Sequence, residues 1–98
     1  MEVYNRVQTG ELAGSTTAVQ FPDIPCRMVW IKAQIANATN VYIGTSASVT
    51  LAAGTTDVTS GLELDAGEMI GPIPIHNLNM LWRICDAAGD DVTYMAVG

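Results

Sequence analysis

The chain has 98 residues, of which 49% are hydrophobic and only 14% charged. It is the size of one domain and sits well under the usual charged fraction of about 25%. Its polarity comes from ten Thr, five Asn, four Ser and nine Gly, which excludes a disordered tail, poor in apolar residues and rich in charge, and a coiled coil, rich in Glu, Lys and Leu. Ten acids against four bases leave a net charge of −6, which argues against nucleic acid, whose phosphates need clustered Lys and Arg, and against anionic membranes.

No apolar run approaches the roughly 18–20 residues of a membrane span. The first residues carry neither the basic nor the apolar segment of a secretory signal, so folding in a cytoplasm is expected. Such sparse charge has two readings. Part of the surface is buried against other subunits, where interface centres are depleted of charge, or the chain is simply a weakly charged, Thr-rich β protein.

Residues 1–25 hold isolated apolar side chains (Val3, Tyr4, Val7, Leu12, Val19, Phe21) among polar ones, with Gly10, Gly14 and Ser15-Thr16-Thr17 as interruptions. Short strands or an extended arm fit this pattern and a helix does not. Residues 1–17 are read as an N-terminal arm or short edge strand, and residues 18–98 as a single domain. From Cys26 to Ala33 the chain is apolar on both parities and β-branched or aromatic, with Pro25 just before it. This reads as a strand buried on much of both faces. Asn37-Ala38-Thr39-Asn40 is a turn cluster before Val41-Tyr42-Ile43, and so short a connection suggests an antiparallel hairpin.

Residues 45–61 are Thr, Ser, Ala and Gly rich and read as loop with short strand pieces. Leu62 and Leu64 alternate with Glu63 and Asp65, the mark of a half-buried strand. Asp65-Ala66-Gly67-Glu68 is a turn with Gly67 able to take positive φ. In Met69–Ile75, Pro72 and Pro74 remove donors along one side, so an edge or bulged strand is expected. Residues 77–88 fit both a helix capped by Asn77 and an alternating strand. The strand is preferred, because a hairpin of 80–85 with Val92–Val97 across the Asp86–Asp91 turn explains both halves. The expected core is Val29, Trp30, Ile31, Val41, Ile43, Leu62, Leu64, Ile84, Val92 and Tyr94. The fold class is all-β: a small antiparallel β-sandwich or jelly-roll-like barrel of six to eight short strands with an extended N-terminal arm.

Candidate chemistry is scarce. His76 stands alone in a turn, and no serine sits in a nucleophile-elbow pattern beside it. Cys26 and Cys85 are far apart in sequence with no C-x-x-C, and read as small buried hydrophobes rather than a disulfide. Asp86, Asp90 and Asp91 bunch in one loop and read as a solvated acidic turn, since Ca²⁺ needs a shaped cage of six to eight oxygens. Glu63, Asp65 and Glu68 flank a turn without the aromatic platform of a glycosidase. Trp30 and Trp82 suit a core or interface better than a sugar platform. No catalytic residue, metal or cofactor is assigned.

Four stretches together resemble a known family. They are Ala18-Val19-Gln20-Phe21-Pro22 leading to Pro25-Cys26-Arg27 with Val29, Ile31, Lys32 and Ala33; Asn40-Val41-Tyr42-Ile43-Gly44; Leu64-Asp65-Ala66-Gly67-Glu68; and Asn77-Leu78 to Leu81-Trp82 with Gly89-Asp90-x-Val92-x-Tyr94. In order and spacing over residues 18–97 they resemble small tailed-bacteriophage virion proteins of the head decoration or cement kind. The resemblance implies a β-sandwich without catalysis or cofactor that binds in many copies to other virion subunits. The leading expectation is a capsid decoration protein on the outer surface of the head. It would contact the major capsid protein as a homo-oligomer, a trimer suiting a threefold site, with Val3, Tyr4 and Val7 as interface residues. A tail, baseplate or fibre module is the alternative, and a carbohydrate-binding module using Trp30 or Trp82 the third reading.

Overall fold

The computed structural model describes residues 6–51 and 57–98. In chain order these form β1 (Val7–Leu12), β2 (Val19–Gln20), β3 (Met28–Ala33), β4 (Val41–Gly44), β5 (Leu62–Leu64), β6 (Met69–Ile73), a 3₁₀ turn (Leu78–Met80), β7 (Trp82–Cys85) and β8 (Val92–Val97). Two four-stranded sheets result, sheet I in the order β1-β8-β3-β6 and sheet II in the order β2-β7-β4-β5. All pairings in both are antiparallel. This is the strand order of a jelly roll, whose chain winds between two packed sheets. Here β4 and β5 are the only consecutive strands that are neighbours.

The all-β sandwich expected from the alternating patterns is present, but both expected hairpins are not. β3 lies in sheet I and β4 in sheet II, and β7 and β8 are likewise separated. The reason is burial. Val29, Ile31 and Ala33 on β3 and Val41 and Ile43 on β4 all enter one shared core. A crossing sets these apolar faces against each other, whereas a hairpin would set them side by side in one sheet with both needing a further cover.

Val29, Ile31, Val41, Ile43, Leu64, Val92 and Tyr94 are buried as expected. Trp30 and Ile84 are half-buried on the outer faces, and Leu62, on the short edge strand β5, is 58% exposed. Phe21, Ile24, Leu78 and Leu81 fill the core instead. Phe21 and Ile24 come from the segment before β3, which no periodicity marks, and Leu78 and Leu81 from the 3₁₀ turn and its C-cap, where they fit the helix alternative to the preferred strand.

The helix alternative survives as that single turn. Asn77 caps it by accepting from the Asn79 N–H at 2.9 Å and from the Ile24 N–H at 3.1 Å. β6 is an edge strand, as Pro72 within it and Pro74 just beyond it lead one to expect. Its register slips against β3 between Val29 and Ile31, which is a β-bulge. Gly71 sits there at φ +137, and a Cβ on it would lie 2.8 Å from the Trp30 ring, so no larger residue fits. The Asp65–Glu68 turn also forms, with Gly67 at φ +86 and the Glu68 carboxylate accepting from the Asp65 N–H at 2.7 Å.

The acidic loop between β7 and β8 is not a solvated turn. Asp90 is 2% exposed. Its carboxylate accepts from the Ala38 N–H at 3.0 Å, the Thr39 N–H at 3.3 Å and the Thr39 hydroxyl. Next to it, the Asn37 side chain accepts from the Asp91 N–H at 2.9 Å and donates to the Asp91 carbonyl at 2.9 Å. The β3–β4 and β7–β8 crossings are thereby tied together at one end of the sandwich.

At the β1–β2 crossing a second buried ion does similar work. Arg83, 7% exposed, donates its Nε and Nη2 to the Ala13 carbonyl and its Nη1 to the Gln20 carbonyl, each at 3.3 Å. Its guanidinium also lies 5.1 Å from the centroid of the Phe21 ring.

Asp90→Ala strands two backbone donors and a hydroxyl in a buried loop. Unfolding in urea should show a stability loss of about 3 kcal/mol, against less than about 0.5 kcal/mol for Asp86→Ala at the exposed end of the same loop.

Candidate interaction face

The two sheets differ in what covers their outer sides. On sheet II, Tyr42 and Gly44 of β4 point away from the core. The loop that follows folds back on them: Val49 is buried, a Cβ on Gly44 would run into its side chain, and Gly61 lies against Tyr42. The Thr50 N–H donates to the Thr59 carbonyl at 2.9 Å and the Gly61 N–H to the Thr50 carbonyl at 2.9 Å, holding the loop closed. Tyr42 is buried in consequence, its hydroxyl donating to Glu63 at 3.2 Å. Burial raises the Tyr42 pKa.

Sheet I has no such cover among the described residues. Its register sets Val7, Val97 and Met28 in one cross-strand row, Thr9, Met95 and Trp30 in the next, and Glu11, Thr93, Lys32 and Met69 in the third. All of these point outward, since Val29, Ile31, Val92, Tyr94 and Ala96 occupy the inward parity. Val7 is 59% and Met69 61% exposed, while Trp30 and Met28 are half-buried. A shallow groove of about 390 Å³ runs between Trp30, Lys32, Met69 and Met95. Aromatic residues and Met on an open face with little charge match the composition of interface centres, and thioether chains adapt to irregular partners.

The residues singled out in the sequence fall in different places. Val3 and Tyr4 lie outside the described residues. Val7 is on the rim of the open face, but not in an extended arm: residues 7–12 are β1, the edge strand of sheet I. Trp82 is half-buried on the outer side of sheet II, opposite Gly44. His76 is exposed in a bend. Glu63 and Glu68 serve local hydrogen bonds.

Cys26 and Cys85 are both free and buried. Burial raises both thiol pKa values, and the Cys85 Sγ accepts from the Ser15 N–H at 2.9 Å. Among the described residues no group of three His, Cys, Asp or Glu side chains is placed to hold a metal ion. No helix among them is long and apolar enough to cross a membrane.

Met28, Met69 and Met95 went unremarked in the sequence as surface residues. For Met28 and Met95 the available signal was apolar occupancy of both parities in β3 and β8, which marks an outer face as well as an inner one. Comparison of the chain with known protein families, curated proteins and solved structures finds no match.

Raised thiol and phenol pKa values fix the sign of an alkaline effect. The unfolded chain ionises Cys near 9.0 and Tyr near 10.0, while the folded chain holds these protons to higher pH. Above the unfolded values the folded state therefore binds more protons, and stability falls as pH rises. Urea midpoints should fall between about pH 8 and pH 10.5, less so in Cys26→Ala/Cys85→Ala, and thiol reagents should label the native protein only on unfolding.

Proposed function

We propose that the chain is a structural subunit of a tailed-phage particle, a decoration protein that seats the outer face of sheet I on the outside of the shell. The observation that carries this reading is the open face of Trp30, Met28, Met69, Met95 and Val7, beside a second sheet that covers its own outer side. An exposed apolar sheet face on a lone domain is an interaction site by default. The motifs over residues 18–97 support a phage particle as its setting, and jelly rolls are frequent in viral shells. Fold kinship alone does not assign function. Thin surface charge of acidic sign suits a protein laid on a shell that encloses nucleic acid, because it does not compete for the packaged phosphates.

Mechanically the role needs no chemistry. Each copy contributes a modest contact, and repetition over a lattice turns modest contacts into a strong clamp across neighbouring subunits. A tail or fibre module would use the same face at far fewer sites.

Two measurements test the reading. Purified protein should co-sediment with undecorated shells at a stoichiometry set by the lattice. Met69→Glu/Met95→Glu should weaken that binding at least about a hundredfold, the loss of two desolvated anchors, while its melting temperature stays near that of the wild type. Binding to purified tails alone, or a stoichiometry far below one per lattice site, rejects decoration in favour of a tail part. Undiminished shell binding by the double variant rejects this face.

A further inference from the structure

We propose that two copies of this chain pair through β1, antiparallel about a two-fold axis that passes through Thr9. This stands apart from the phage reading and needs only the sheet edges and the charge layout.

Sheet I has two unequal edges. β6 carries Pro72 and the bulge opposite Trp30, both of which blunt an edge against strand addition. β1 has six residues, no proline and an unbroken register from Val7 opposite Val97 to Leu12 opposite Val92. The edges of sheet II are the two-residue β2 and the three-residue β5. β1 is thus the one long, unblunted edge among the described residues.

Its open groups follow from the ladder. The Arg6 N–H donates to the Gly98 carbonyl at 3.1 Å and the Gly98 N–H to the Arg6 carbonyl at 2.9 Å, which makes this a doubly bonded pair. Such pairs alternate along antiparallel strands. Gln8, Gly10 and Leu12 therefore turn their backbone groups toward β8, and Val7, Thr9 and Glu11 turn theirs away from the sheet. A two-fold axis normal to the sheet keeps every residue on its own face, so a copy of β1 can only pair residues of equal parity. With Thr9 on the axis, Val7 of each copy faces Glu11 of the other, and all three outward residues bond within β1. Centring on Gln8 or Gly10 needs residues beyond the strand. Thr beside Thr is itself a favourable cross-strand pair.

Charge selects the same occupant. Exposed Arg6 and Arg27 lie together at the start of β1 and β3, linked by the Arg6 Nη2 bond to the Pro25 carbonyl at 3.3 Å. The opposite end of the sheet is net acidic, with Glu11, Glu68 and Asp91 outnumbering Lys32. Glu11 closes β1 there, the Asp91 carbonyl accepts from the Gln34 N–H at 3.1 Å, and the Glu68 carbonyl accepts from the Ala33 N–H at 2.9 Å. Antiparallel pairing lays the basic end of each copy along the net acidic end of the other. The two open faces then join as one eight-stranded surface.

Sedimentation equilibrium over a wide concentration range reads the association. The wild type should be a dimer. Thr9→Pro removes an N–H that points away from β8, so the internal ladder is intact, and its dissociation constant should rise at least about tenfold. Thr9→Lys sets two like charges side by side on the axis and should weaken pairing by a similar factor. Near-ultraviolet circular dichroism checks that each variant is folded, and Thr9→Lys decides should Thr9→Pro unfold. A wild type that is monomeric throughout, a trimer, or a dimer indifferent to a folded variant overturns the proposal.

Discussion

A two-sheet sandwich has four faces, and packing the sheets together buries only two of them. The third and fourth must be solvated by charge, covered by the chain, or covered by something else. This chain has few charges for the first solution, and it uses its one long loop for the second, laying Val49 and Gly61 over Tyr42 on sheet II. The outer side of sheet I is left with Trp30, three methionines and Val7. Its low charge, its unblunted β1 edge and its thioether-rich surface are all features of that one uncovered sheet. On the proposed docking, the sparse ionisation noted at the outset falls where a neighbour would exclude water.

Beneath this surface, buried ions tie three of the crossings of the sandwich, β1–β2, β3–β4 and β7–β8. Asp90 and Arg83 are both buried without an opposite charge at hand among the described residues, and each is compensated by groups of the backbone: N–H donors for the carboxylate, carbonyls for the guanidinium. Burial of an ion is costly unless it is hydrogen-bonded in this way, and charge-assisted bonds to backbone are among the stronger ones. Each joins loops far apart in sequence, so each favours the crossed topology over the hairpins that the same strands could have formed. On the proposed docking, the sheet I face would be set before binding, and ordering would take little from its affinity.

Strand positions were legible because alternation of apolar residues is a local property. β3, β4, β6 and β8 fall within a residue or two of the segments their patterns mark, and Pro72 and Pro74 announced the edge at β6. Sheet membership was not legible. Asn37–Asn40 and Asp86–Asp91 are good turn sequences whether the chain doubles back in one sheet or crosses to the other, and the choice is made by which apolar faces meet. Asp86, Asp90 and Asp91 could not be told apart for a related reason. What sets Asp90 inside is the presence of the Ala38 and Thr39 donors, some fifty residues earlier in the chain. Trp30 was read as core because an apolar residue on a two-sided apolar strand has no local mark of which side is covered. Val7 was picked out for its apolar character amid polar residues; its place on an edge strand rather than an arm depends on β8, the last strand of the chain.

The central claim, that sheet I is the seat and sheet II the exposed back, is decided by imaging decorated particles at a resolution that separates strands. The claim predicts density with Trp30 and the sheet I methionines against the shell and the Val49 loop facing solvent. Density in which the Val49 side or an end of the sandwich meets the shell, with the sheet I methionines in open water, contradicts it.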